Sequence, residues 1–169
     1  MLVRLLPDQI SDNWEIIKYA IKRSVPPTHN ESPEKLNKIF ESLLLGSMVC
    51  WASVKHNYDE NTTLLEGILI TTVLEDKFSS TRNLLVYCIY SFTNQSTDLS
   101  WEQGLCKLIQ YGRSIRCDSI VGFTQNDNII RYVERLGGSL HTYVSIPLLK
   151  KLTEVNCEIG GEEGANKEM

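Results

Sequence analysis

The stretch from Leu84 to Phe123 constrains this chain more than any other. Leu84, Leu85, Val86, Tyr87, Cys88, Ile89 and Tyr90 run without a charged break, as a strand buried on both faces does. Trp101, Leu105, Leu108, Ile109, Gly112 and Ile115 then share one helical stripe. The segment CDSIVGF, from Cys117 to Phe123, is apolar again. A strand, a helix and a strand of these lengths make a crossover unit, so strands 84–92 and 118–124 are predicted to be parallel.

The rest of the pattern must fit around that unit. LVRLL at the start reads as a short strand closed by Pro7. Ser11 is predicted to cap a helix running to Ser24, with Trp14, Ile17 and Ile21 at helical spacing. Ser32-Pro33 starts another, carrying Leu36, Ile39, Phe40, Leu43 and Leu44 to a stop at Gly46. Strands follow at about 48–54, 64–74 and 84–92, joined by short polar loops that favour an antiparallel meander. After the crossover come a helix from Asp127 to Leu136, closed by Gly137-Gly138, and a strand from Leu140 to Ile146. The order is β-α-α-β-β-β-α-β-α-β. It predicts one α/β (α+β mixed-sheet) domain over residues 1–147, with a charged, disordered tail over 148–169.

Composition narrows the function classes. The 169 residues carry a net charge of −4. Four Glu and one Lys between Cys157 and Met169 account for −3 of it, leaving −1 on residues 1–156. A body that close to neutral lacks the footprint of a nucleic-acid binder. No run reaches the roughly 18 apolar residues of a membrane helix, and Met1–Leu6 is too short for a signal peptide. The five Cys form no C-x-x-C pair. Cys50, Cys88, Cys106 and Cys117 lie in periodic apolar segments, where a thiol acts as a small hydrophobe. Three scattered His make a metal site improbable. The expectation is a cytoplasmic chain without a metal, binding neither membrane nor nucleic acid. The apolar strand and open sheet edges permit a homo-oligomer.

The element order, together with IRCDSIVGFTQNDNIIRYVERLGG and VRLLPDQISDNWEIIKYAI, resembles the GNAT superfamily of acetyl-CoA-dependent N-acetyltransferases over about residues 1–147. Small GNAT-like chains of this kind also occur in tailed phages, which would make the protein virion-associated. The resemblance implies a GNAT-like single domain whose central parallel strands splay apart. The cofactor's pantetheine arm would then pair with backbone at Ile89, Tyr90 and Ser91, and Asn126 would match the family's Asn at the start of the last helix. It also implies a pyrophosphate loop of the type Gln/Arg-x-x-Gly-x-Gly/Ala, because backbone N–H groups must approach the phosphates closely. Here that loop reads Thr93-Asn94-Gln95-Ser96-Thr97-Asp98-Leu99-Ser100, with no glycine and no Lys or Arg, and Trp101 stands about where the family has its last loop glycine. The family's acidic Tyr falls on Val133, with Tyr132 one residue and about 100° away.

Two readings follow. In the first, the chain keeps the scaffold, has lost acetyl-CoA catalysis and takes no cofactor, so that it is a pseudoenzyme serving as a binding or structural component, with a protein partner. In the second, it is an acetyl-CoA-dependent acyltransferase acting on a small-molecule amine, with Glu66 as base and Tyr132 or Tyr143 as acid. Each candidate also has a plainer account. Glu66 can be an outward residue on a half-exposed sheet, Asn126 a helix cap and Cys88 a core thiol. His141 can be a residue on the less buried face, and Trp14, Trp51 and Trp101 have core-compatible spacing.

Overall fold

The computed structural model describes residues 1–24, 32–57, 61–93, 98–124 and 127–141. Five strands form one sheet in chain order: β1 (Leu2–Arg4), β2 (Met48–Asn57), β3 (Thr62–Asp76), β4 (Thr81–Ser91) and β5 (Ser119–Gly122). β1 to β4 are mutually antiparallel, and β5 joins β4 in parallel. The predicted meander and crossover are both present.

The helices are α1 (Pro7–Asp12), α2 (Trp14–Ser24), α3 (Pro33–Leu44), α4 (Asp98–Ser114) and α5 (Asp127–Arg135). One expectation is corrected at the first of them: the helical segment begins at Pro7, not at a Ser11 cap. Pro7 suits the first helical position because its missing N–H would go unused there. The Gln9 side chain accepts the N–H of Leu6 at 2.9 Å. Ser11 instead donates to the Pro7 carbonyl from within the helix, at 3.1 Å. Asn13 (φ −108°) breaks the run before α2. Ser32 does cap α3, accepting from the Lys35 N–H at 3.3 Å, and Gly46 at φ +78° ends it. α5 ends with paired bonds from Gly137 N–H to the Glu134 carbonyl and from Gly138 N–H to the Val133 carbonyl, both 3.0 Å. Gly137 supplies the positive φ that this closure needs.

Helices cover both faces of the sheet, so the strands read as continuous apolar runs. On one face Ile10, Ile17, Ile21, Ile39 and Leu43 of α1–α3 pack on Cys50, Ile68, Ile70 and Cys88. On the other, Leu108 of α4 packs on Val49, Trp51 and Leu69, with Tyr111 alongside. Trp51 Nε1 donates to the fully buried Thr71 Oγ1 at 3.0 Å, which satisfies both groups. Gly112 faces the sheet, where a Cβ would meet the Leu84 side chain at an ordinary contact distance of 3.6 Å. Not every predicted core position is buried. Cys106 is exposed on α4, and Cys117, in the turn between α4 and β5, is only half-buried. Leu140 and His141 lie in irregular chain, with His141 exposed beside Ser139. The remainder of that predicted strand, 142–146, and the tail over 148–169 lie outside the described residues.

Ile70 is completely buried midway along the central strand pair. Ile70→Ala is expected to cost about 2–5 kcal/mol, read as a lower urea midpoint with an unchanged slope.

Candidate functional site: the parting of the central strands

β4 and β5 pair only from Asn83–Ser119 to Val86–Gly122. A clamp sets where they begin. The Arg82 N–H donates to the Asp118 carboxylate at 2.8 Å, and the Asp118 N–H returns a bond to the Arg82 carbonyl at 2.7 Å. The Arg82 guanidinium reaches the Ile115 carbonyl at 2.9 Å and Glu75 at 2.9 Å. A bulge sets where the pairing ends. Thr71 opposes Val86 while Ile70 opposes Cys88, which leaves Tyr87 as the extra residue. Such an insertion bends its strand and sharpens the local twist. Tyr87 and Cys88 therefore both pack toward α2, whereas Val86 and Ile89 pack toward α4. From Cys88 to Ser91, β4 has no strand beside it on the β5 side among the described residues.

The polar groups along that edge can be assigned. The Phe92 N–H donates to the Glu66 carbonyl at 2.8 Å, so Phe92 faces β3. The Tyr90 carbonyl also faces β3 and comes so near Gly67 that a Cβ there would lie 2.6 Å from it. Backbone direction alternates along a strand. Ile89 and Ser91 accordingly turn their N–H and C=O groups to the open side. Past the end of the β5 ladder the parting strands leave a short cleft edged by this β4 backbone, with the Ile89 side chain on the α4 face of the sheet and Tyr90 on the α2 face.

Glu66 stands at a second bulge. Ser53 opposes Gly67 and Val54 opposes Leu65, so Glu66 is the unpaired extra residue of β3. That explains how a Glu fits a strand interior that would otherwise disfavour it. It is half-buried, and its carboxylate accepts from the Ser53 hydroxyl at 3.2 Å. Glu66, Ile89, Tyr90 and Ser91 thus meet at one end of the sheet. Tyr132 sits elsewhere, on α5, half-buried with the Arg135 guanidinium 5.3 Å from its ring. Tyr143, Asn126, loop residues 94–97 and the Trp101 side chain lie outside the described residues.

Two aromatic residues that sequence reasoning did not single out, Tyr19 and Phe92, join Tyr90 at this end. Tyr19 of α2 meets Tyr90 edge-on at 5.7 Å and stacks on Phe92 at 6.4 Å, while Tyr90 and Phe92 meet at 5.1 Å. Arg23 lies 4.7 Å over the Tyr19 ring. A hydrogen bond with Tyr19 holds the Tyr90 phenol above its ordinary range, with desolvation adding to it. The signal available in the sequence was Gly67, a glycine inside an apolar strand, which marks close backbone approach. Nothing in the sequence marked Tyr19 and Phe92 as neighbours of that position.

Beneath the cleft lie two buried thiols. Burial pushes Cys50 up to about 12 and Cys88 up to about 11, from an ordinary 9.0. Cys88 Sγ sits 2.9 Å from Ser24 Oγ. Neither is a nucleophile at neutral pH. Among the described residues no three His, Cys, Asp or Glu gather to hold a metal ion, and no helix is long and apolar enough to cross a membrane.

No family model and no curated protein matches the sequence. Solved structures do match the fold. A probable acetyltransferase superposes with a TM-score of 0.63 at 15% identity, covering 88% of this chain and 97% of that one. A predicted acetyltransferase from Clostridium acetobutylicum, solved with acetyl-CoA, gives 0.62 at 14% identity over 88% and 96%. AAC(6')-Iy, in complex with the bisubstrate analogue CoA-S-monomethyl-acetylneamine, gives 0.61 at 12% over 87% and 95%. At such identities the likeness establishes the GNAT-like fold.

Gly67→Ala is expected to destabilise by about 1–3 kcal/mol, since the Tyr90 carbonyl it would strike is backbone; denaturant melts measure this. The thiols make a second prediction. Cys106 should react with a thiol reagent at pH 8 in the native protein, while Cys50 and Cys88 should react only on unfolding. Their folded values are raised, so the stability they confer is complete below about 9 and falls as pH climbs toward 11–12.

Proposed function

We propose that this GNAT-fold chain has given up acetyl-CoA-dependent catalysis and serves as a binding component, using the cleft between β4 and β5 to hold a protein partner. The observation that carries the reading is the start of α4. A cofactor pyrophosphate at a helix N-terminus needs free N–H groups, little side-chain bulk and positive or neutral surroundings. From Thr93 to Glu102 the chain offers no glycine and no Lys or Arg, and it places Asp98 and Glu102 in the first turns of α4. Carboxylates there already answer the helix dipole and repel a second anion. The Ile89 and Ser91 backbone groups, in contrast, accept a ligand whatever the side chains are.

A second reading rests on Glu66. Its bulge position beside the open edge, with the carboxylate held by Ser53, suits a base that takes a proton from an amine through water while the amine attacks an acyl thioester. Tyr132 or Tyr143 would then return a proton to the departing thiolate. In that case acetyl-CoA is the cofactor and a small-molecule amine the substrate.

Isothermal titration with acetyl-CoA, and separately with free CoA, decides between them. The proposed reading expects no heat of binding at millimolar ligand. Micromolar affinity would overturn it in favour of the acyltransferase. Glu66→Gln should then abolish turnover while leaving CoA affinity intact.

A further inference from the structure

The β3–β4 hairpin outruns the rest of the sheet. β2 begins at Met48, opposite Thr72, and β5 begins at Ser119, opposite Asn83. Val73–Asp76 therefore extend past the start of β2, roughly 13 Å at strand rise, and Glu75 and Asp76, opposite Arg82 and Thr81, also pass the start of β5. The turn at its tip is firmly built. The Asp76 carboxylate accepts from the Phe78 N–H at 2.9 Å and the Ser79 hydroxyl at 2.7 Å, and these bonds hold its carboxyl below the ordinary range. Ser79 Oγ meets Thr81 Oγ1 at 2.8 Å. This ordered turn holds out Phe78 with its side chain 103% exposed, and Leu74 behind it is 46% exposed. A whole aromatic ring kept in water by a fixed turn forgoes a burial gain of about 1.5–3 kcal/mol.

The same end of the molecule carries a matching hollow. It holds about 110 Å³ between the β1–α1 junction, the end of α3 and the start of β2, with Ile10, Leu43 and Met48 among its walls. Leu6 and Leu45 stand exposed at its rim beside Arg4. A closed apolar cavity of about 150 Å³ takes up free benzene. A somewhat smaller hollow open to solvent suits a ring that stays tethered at its mouth. The charges also match. Asp76 beside the ring accepts from a backbone N–H and a hydroxyl and so keeps its negative charge, whereas Glu75 is taken up by Arg82; Arg4 stands among the residues of the hollow. Lys77, next to Phe78, would face the carbonyl end of α3, which favours a cation.

We infer that this end of the molecule is a self-complementary interface, in which Phe78 of one copy seats in the Leu43 hollow of a second copy and receives that copy's Phe78 in return. Knob and hollow lie on one end of one chain, so the exchange closes as a two-fold dimer and leaves neither unfilled. A single copy does not fill its own hollow: Phe78 is fully exposed and is not among the residues that line it. The interface does not depend on what the cleft between β4 and β5 binds.

Sedimentation velocity of the full chain over a concentration series tests this. The wild type is expected to dimerise. Phe78→Asp and, separately, Leu45→Lys should each weaken dimerisation at least tenfold. Both side chains are exposed, so circular dichroism and the melting temperature should stay at wild-type values and separate lost docking from lost folding. A wild type still monomeric near about 1 mM, or a Phe78→Asp chain that dimerises as the wild type does, overturns the inference.

Discussion

The parallel pairing of β4 with β5 is bounded at both ends by specific bonds, and the shape of the candidate site follows from those bounds. The reciprocal bonds between Arg82 and Asp118 fix where the two strands meet. The Tyr87 insertion fixes where they part. A longer ladder would zip the cleft shut, and a shorter one would leave β5 unanchored. Gly67 completes the arrangement from the other side, because only a residue without a Cβ lets β3 follow β4 past the bulge. Each of these contacts is a backbone contact or leads to one. The cleft is therefore a property of the sheet's course and depends little on the side chains that line it.

Two-sided burial is the second constraint. α1–α3 and α4 leave the central strands no wet face, so their polar residues are either paired inside or pushed to the ends. Thr71 survives at full burial because Trp51 donates to it. Cys50 and Cys88 survive as protonated thiols, which cost little to desolvate. Glu66 sits where the ladder has slipped, and a hydroxyl takes up its carboxylate. The polar chemistry of the sheet thus collects at its irregular end, beside the open edge of β4.

The crossover was legible because it leaves a long signature: an apolar strand, a helical stripe, then another apolar strand. The Ser32-Pro33 start of α3 and the Gly137 ending of α5 were legible because capping is local. The first helix start was misread between two competing local signals. Ser11 is a common cap, yet Pro7 followed by Asp8 already marks a start six residues after Met1, and Ser11 found a carbonyl one turn back instead. Apolar neighbours point to a core place for Cys106 and Cys117 alike, but a helix stripe buries only about a third of its positions, which leaves Cys106 out, and Cys117 lies in the turn after α4. The bulges at Glu66 and Tyr87 escaped notice because a bulge depends on the partner strand's length, which no local window contains. For the same reason the sequence gives no warning that Tyr19 meets Tyr90 and Phe92, three residues from two distant segments.

The two parts of a cofactor site in this fold respond differently to sequence change. On the proposed reading, an extended ligand would pair with the Ile89 and Ser91 backbone, and nearly any side-chain sequence presents such backbone equally well. A pyrophosphate makes stricter demands, since it needs glycine at the turn and no carboxylate nearby. Substitution in the loop can therefore remove phosphate binding without disturbing the strands, whereas removing the cleft would mean rebuilding the ladder on both sides of β4. An open β4 edge beside an α4 that starts with Asp98 is what such unequal tolerance produces. On the proposed reading, it would account for a chain that keeps the fold of acetyltransferases at 12–15% identity without a glycine in the loop before α4.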